Sequence, residues 1–226
     1  MAKETGSKES CKRSSRKGPI DMITISYCEQ RSEEWFKEHL AIASASVFAE
    51  VMMTGKRKGE PSVTRAGLLR KKAGEAITGY PDPSGYTNRA MERGIEMENE
   101  ARTKYQFLNP DAELTRVGFI RNSKAGCSPD SLIGNDGVLE IKTTWPHLLL
   151  DHHLKGEFPP EHRPQCQGQL WVAERDWVDL CIYWPAMRPF IIRAHRDEQY
   201  IKEIEEAVDR FNYERDELIK RYREGA

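Results

Sequence analysis

A chain of 226 residues is long enough for one α/β domain with a substantial core. With 38% hydrophobic residues, no apolar run near the length of a membrane span and no signal-peptide core, it reads as a cytoplasmic protein rather than a membrane or exported one. A formal net charge of −1 excludes the overall basicity of many DNA binders, so any nucleic-acid contact must come from a local patch, and five cysteines without a CxxC pair exclude a zinc ribbon and suggest a reducing compartment.

Residues 1–20 are polar, basic and rich in Ser, Lys and Gly, and cannot bury enough apolar surface to order themselves. They are expected to form a flexible arm. Met22 to Tyr27 reads as a first strand. Ser32 is a good N-cap for a helix with two acidic residues in its first turn, carrying Trp35 and Phe36 toward His39 and Leu40. Ser44 or Ser46 can cap the next helix, Val47 to Met53. Free hydroxyls at a helix N-terminus are either plain caps or a phosphate site. Thr54 to Pro61 is a loop with three consecutive basic residues, suited to a DNA backbone or simply solvated. Val63 to Ala76 reads as a helix, and Gly79 to Gly85 breaks the chain.

The segment from Asn88 to Phe107 has helical periodicity. At 100° per residue, Met91, Gly94, Ile95, Glu98, Ala101 and Tyr105 form one stripe, while Glu92, Glu96 and Glu100 lie opposite. Glu98 therefore carries a carboxylate into the apolar face, where it needs a cation. It is either an active-site or metal-binding group or one half of an ion pair with Arg102.

Leu114 to Arg121 reads as a strand leading to Ser128-Pro129-Asp130. Two apolar runs follow, Ser131 to Gly134 and Val138 to Lys142, joined by Asn135-Asp136-Gly137, a strong hairpin signal. Pairing of the two runs brings Asp130 and Glu140 to one end of the ribbon. Alternation puts Lys142 on the face of Glu140 and Ile141 on the other. Two hard carboxylates can hold Mg²⁺ with positions left open for water and phosphate, and the ion acidifies the attacking water and offsets phosphoryl charge. A lysine there can orient or deprotonate that water if its pKa is lowered. The bland alternative is a surface hairpin with a Glu-Lys pair.

His147 to Lys155 is expected to be helical, with His152-His153 as a surface pair rather than ligands. Arg163 to Trp171 starts another helix with Pro164 in its first turn. Gln167 is expected to face inward, bonded either to an active-site group or to backbone. Trp177 to Trp184 is near-continuously apolar and hence a central strand, and Phe190 to Ala194 is a further strand. From Asp197 a long helix places Ile201, Ile204, Val208, Phe211 and Leu218 at 3-4 spacing, to pack on the sheet or a neighbouring subunit.

Taken together, EEWFKEHLAIASAS, GIEMENEARTKY, AGCSPDSL, VLEIKTTWP and PQCQGQLWVAE resemble, in order, the five motifs of the lambda phage exonuclease family, the YqaJ-type viral recombinases of the PD-(D/E)XK nuclease superfamily. The likeness runs from about Glu29 to Trp184. It implies an α/β fold with a central mixed β-sheet flanked by helices, and a single nuclease domain over residues 21–226 behind the basic arm. It implies a 5′→3′ exonuclease that degrades one strand of linear double-stranded DNA to mononucleotides and leaves 3′ single-stranded tails. The implied cofactor is Mg²⁺, as two ions that Mn²⁺ can replace. The implied assembly is a ring-shaped homotrimer threaded by DNA, working with a single-strand annealing recombinase in a phage or prophage setting inside a bacterial cell. By position, Asp130, Glu140 and the Ile141 carbonyl match the metal ligands, Glu98 a second-metal residue, Lys142 the water-orienting lysine and Gln167 a supporting glutamine. Met91 matches an apolar wedge at the duplex end. Ser46 and Ser128 match a 5′-phosphate pocket, in which His39 stands where the family has arginine. A partly charged histidine predicts a 5′-phosphate preference that fades as pH rises. Two rival readings are a repair or restriction endonuclease on the same core and a catalytically silent DNA-end-binding scaffold; the intact Glu98, Asp130, Glu140 and Lys142 set argues against the second.

Overall fold

The computed structural model describes residues 23–55, 62–82 and 89–225, without the side chains of residues 89–92, 94 and 95. The expected basic arm, residues 56–61 of the basic loop and the Met91 side chain lie outside the described residues.

In chain order the elements are β1 (Thr24–Ser26), α1 (Glu33–His39), a 3₁₀ turn (Ala45–Val47), α2 (Phe48–Val51), α3 (Val63–Thr78), α4 (Arg89–Leu108), β2 (Leu114–Thr115), β3 (Phe119–Arg121), β4 (Gly126–Cys127), β5 (Ser131–Ile133), β6 (Gly137–Thr143), α5 (Pro146–Lys155), a second 3₁₀ turn (Pro160–His162), α6 (Arg163–Val172), β7 (Trp177–Tyr183), β8 (Phe190–His195) and α7 (Glu198–Arg223). Local chemistry sets several boundaries. The Ser32 side chain accepts from Trp35 N at the start of α1, and Asp197 accepts from Tyr200 N at the start of α7. Ser62 caps α3 in the same way.

The main sheet runs in the order β2-β5-β6-β7-β8. Only β6 and β7 are parallel, with α5 and α6 in the connection between them. Among the described residues this is the α/β architecture with a mixed sheet and flanking helices that the sequence led us to expect. On one face Val138, Val178 and Leu180 join a core with Phe48, Leu170, Val208 and Phe211. On the other, Leu139, Ile141, Cys181 and Tyr183 pack with Ala101 and Tyr105 of α4. Close approach of α6 to the α2 region depends on Gly168, where a Cβ would sit 2.3 Å from the Phe48 ring.

Two expectations need correction. Leu114 to Arg121 is not one strand: β2 pairs with β5, whereas β3 joins a separate three-stranded sheet ordered β1-β3-β4. The break falls at Gly118, packed so closely on Cys28 that a Cβ would lie 2.3 Å from the Cys28 carbonyl oxygen. The long helix α7 packs mainly on α3, α6 and α2 rather than on the sheet. No described helix is long and apolar enough to cross a membrane.

Candidate active site

The β5–β6 hairpin builds the site. Ser131 pairs with Leu139, which sets Asp130, one residue earlier, level with Glu140. The Ile141 amide donates to Asp130 Oδ2 at 2.6 Å, tying the carboxylate to the backbone just after Glu140. Glu140 is 3% exposed, and its two oxygens meet donors from two elements. On α6, Gln165 Nε2 donates to Oε1 at 2.6 Å and Gln169 Nε2 to Oε2 at 2.5 Å. On β6 itself, Lys142 Nζ lies 2.8 Å from Oε1, as the shared strand face predicts. The two glutamines are four residues apart, one helical turn, so they present one face to the carboxylate. The remaining amide oxygen, Gln169 Oε1, is buried and meets no donor among the described residues.

The charge balance is uneven. Burial, then the charge of Glu140 and then that of Glu98, push the Asp130 carboxyl well above the ordinary range, against the opposing Ile141 N–H and Lys142. For Lys142, burial works against the ammonium, but Glu140 and Asp130 outweigh it and its pKa rises. The lowered lysine pKa entertained from sequence is therefore not what the protein alone produces: two anions outweigh the burial. Burial, with Glu140 adding to it, pushes up the thiols of Cys127 and Cys166, so they remain thiols beside the carboxylates.

Among the described residues no three His, Cys, Asp or Glu side chains gather closely enough to hold an ion by themselves. The donor set at hand is Asp130 and Glu140, with the Ile141 peptide between them. It fits a hard divalent cation: the donors are carboxylates, one of them destabilised by its neighbour's negative charge, and a buried amide acceptor beside them lacks a donor such as water.

Asp130 opens onto a cleft of about 460 Å³ whose walls include Gln30, Arg31, Glu98, Arg102 and Arg116. Glu98 faces this cleft, but Arg102 Nη2 donates to its Oε1 at 2.7 Å, the ion pair weighed above as the alternative. Arg102 also donates to Asp130 O at 3.0 Å and to Ser131 Oγ at 3.1 Å, so the pair fastens α4 to the hairpin.

Gln167 is inward-facing but does not reach the carboxylates. Its Nε2 donates to His195 O and its Oε1 accepts from Asp197 N, both at 2.8 Å, joining the end of β8 to the start of α7. The assignment of Gln167 as the supporting glutamine is thus corrected to Gln165 and Gln169. The geometry also corrects His39. Its ring lies between Trp35, with centroids 3.7 Å apart, and Phe119, at 4.1 Å, and its Nδ1 donates to the Trp35 carbonyl at 3.1 Å. Burial, aided by Lys72, lowers its pKa to about 4 despite the Trp35 carbonyl, so the ring is neutral across the physiological range and cannot change charge between pH 6 and 8.5. Ser128 belongs to the same cluster, since Trp35 Nε1 donates to its Oγ at 3.0 Å. Ser46 is exposed and bonds Ser44 Oγ at 3.0 Å. Reasoning from sequence missed Gln165 and Gln169. A pair of amides one helical turn apart was a usable signal for both.

Comparison with known proteins bears on what such a site does. The family model described as a YqaJ-like viral recombinase domain matches residues 34–176. Among solved structures, an alkaline exonuclease (LHK-Exo) from Laribacter hongkongensis is 29% identical, with 85% of this chain and 97% of that chain covered and a TM-score of 0.75. The structure of LHK-Exo in complex with dAMP gives 30% identity over the same shares, with a TM-score of 0.76. A phage related exonuclease from Haemophilus somnus 129PT shares the fold at 16% identity, covering 80% of this chain and 96% of that one, with a TM-score of 0.59. No curated protein matches significantly.

Proposed function

The chain belongs to the YqaJ-like viral recombinase domain family, with the PD-(D/E)XK core expected of it, and from that membership we propose that it is a Mg²⁺-dependent exonuclease acting on linear double-stranded DNA. It removes mononucleotides from the 5′ end and leaves 3′ single-stranded tails for annealing-type recombination. In this reading it works as a homotrimer around the DNA, beside a single-strand annealing protein, in a phage or prophage setting. Residues 21–226 act as one nuclease domain.

The observation that carries the reading is the pairing of Asp130 with a Glu140 fixed by Gln165, Gln169 and Lys142. Asp130, Glu140 and the Ile141 carbonyl would hold the ion, with Glu98 nearby for a second. When bound, a divalent ion of this kind acidifies water and offsets charge on phosphoryl oxygens. Gln165 and Gln169 keep Glu140 from turning away. Lys142, held as an ammonium by Glu140 and Asp130, donates hydrogen bonds that orient the attacking water or the scissile phosphate. The dAMP complex of the relative is consistent with release of nucleoside monophosphates.

The test uses linearised and covalently closed plasmid, with strands labelled at the 5′ or the 3′ end. Early Mg²⁺-dependent release of the 5′ label from linear DNA, abolished by EDTA and by Glu140→Gln, is expected. Cutting of closed circles would replace the reading with an endonuclease. DNA binding without any hydrolysis would replace it with an end-binding scaffold.

A further inference from the structure

Three arginines line the cleft beside Asp130, and they are not equivalent. Arg102 is committed: its side chain is 10% exposed and bonds Glu98, Asn99, Ser131 and the Asp130 carbonyl. Arg116 Nη2 donates to Asn99 Oδ1. Arg31 is 46% exposed, and its ion pair with Glu98 Oε2 is 3.6 Å long, outside hydrogen-bonding range. Arg102 holds the other Glu98 oxygen at 2.7 Å, so Arg31 is the more weakly held and more exposed of the two cations on that carboxylate.

The turn that carries Arg31 is fastened to the catalytic segment. Ser32 N donates to Glu29 O at 3.1 Å, closing the turn. Gln30 Nε2 donates to Pro129 O at 3.1 Å and to Val117 O at 3.0 Å. Residue 31 thus follows an anchored Gln30 and lines the same cleft as Asp130. Its backbone has φ +73, the left-handed region that glycine adopts freely and arginine does not. An arginine held there at a local conformational cost, on a cleft wall, points to a use for its side chain.

We propose that Arg31 binds a phosphate of the DNA strand being cut and so seats that strand against Asp130, an assignment that rests on the nuclease reading above. The guanidinium fork suits a phosphate, with two parallel donors meeting two oxygens. The phosphate is either the terminal monoester or the first internal diester; the chemistry recognised is the same.

The experiment measures binding of the Glu140→Gln protein, in Mg²⁺, to labelled duplexes with 5′-phosphate or 5′-hydroxyl ends over a salt series. Arg31→Gly is the main variant, because glycine fits the left-handed backbone and keeps the fold, which an unchanged or raised Tm verifies. Arg31→Gly is expected to weaken binding about tenfold or more and to reduce the slope of log K against log salt by about 1. Arg31→Lys should recover the slope but only part of the affinity. A loss confined to 5′-phosphate ends assigns the terminal phosphate, and an equal loss on both ends assigns the internal diester. Affinity and slope unchanged by Arg31→Gly on both ends would overturn the assignment while leaving the nuclease reading intact. A Glu140→Gln protein that binds neither duplex would overturn both.

Discussion

Replacing Gln169 with leucine removes one of the two neutral donors that fix Glu140, while replacing Gln167 removes a bridge elsewhere on the same helix. Gln169 Nε2 sits 2.5 Å from an oxygen of a carboxylate that is 3% exposed. A hydrogen bond to a charged group is worth about 1.5–3 kcal/mol. If its loss lets Glu140 shift, the cost appears in the transition state, as a kcat lower by about 10- to 150-fold at 1.36 kcal/mol per decade. Gln165→Leu should do the same, since its 2.6 Å bond serves the other oxygen. Gln167 instead makes two neutral bonds at 2.8 Å, between His195 O and Asp197 N. Their loss should cost about 2 kcal/mol of stability, or about 4–8 °C in Tm for a chain of this size. The catalytic step should be spared. Initial rates of acid-soluble nucleotide release at saturating DNA, set beside calorimetric melts, separate the two phenotypes. A Gln167→Leu protein that keeps its Tm but loses kcat as Gln169→Leu does, or a Gln165/Gln169 double variant with normal kcat, would refute the assignment of roles on this helix.

Three further outcomes are expected. The folded pKa of His39, about 4, lies below its unfolded value of 6.5, so the unfolded chain binds more protons between those values. His39 therefore contributes stability that is present above pH 6.5 and lost as pH falls toward 4, by at most about 3 kcal/mol. Melting His39→Phe beside the parent across that window should show the slope reduced, and the ratio of rates on 5′-phosphate and 5′-hydroxyl ends at pH 6 and 8.5 should not depend on residue 39 titrating. Mg²⁺ should raise the Tm of the parent, by about 2.7 kcal/mol of stabilisation at a hundredfold excess over Kd, and raise it much less in Asp130→Asn, as differential scanning fluorimetry would show. Gly168→Ala, whose Cβ would lie 2.3 Å from the Phe48 ring, should destabilise by about 1–3 kcal/mol in denaturant titration, with little change in kcat for the protein that remains folded.

The parts of the fold with strong local chemistry were legible in the sequence. Asp136-Gly137 between apolar runs announced the hairpin, the near-continuous apolar run from Trp177 announced the central strand, and Ser32 and Asp197 announced their helices. Sheet membership was not legible. Leu114 to Arg121 reads in the sequence as one strand-forming segment, and its division between two sheets falls at Gly118, which approaches Cys28 closely in the tertiary fold. The face of α6 was obscure for a different reason. Cys166 through Leu170 and Val172 are all buried, so the helix has no single inward stripe to read. Gln167 is as inward as Gln169 but points to the β8–α7 junction. His39 was misread because sequence alone does not reveal that Trp35 and Phe119 enclose it.

The same sheet contains a control for the metal-site argument. Asp179, on β7 beside Leu139, is also 3% exposed. It is answered in full: Arg193 donates from Nε at 2.7 Å and from Nη2 at 2.8 Å, and the Tyr105 hydroxyl donates at 2.7 Å. That is how this protein buries a structural carboxylate, with a forked cation and a hydroxyl. Asp130 and Glu140 are treated differently. Two amides and a backbone N–H orient them without neutralising them, and Lys142 is one cation for two carboxylates, with Glu98 adding a third negative charge that Arg102 answers. Burial first, and then that shortage of positive charge, raise the Asp130 pKa. A hairpin selected only for stability would gain by replacing one of these carboxylates with an amide. Retaining both, aimed by neutral donors, makes sense where a divalent cation completes the charge balance.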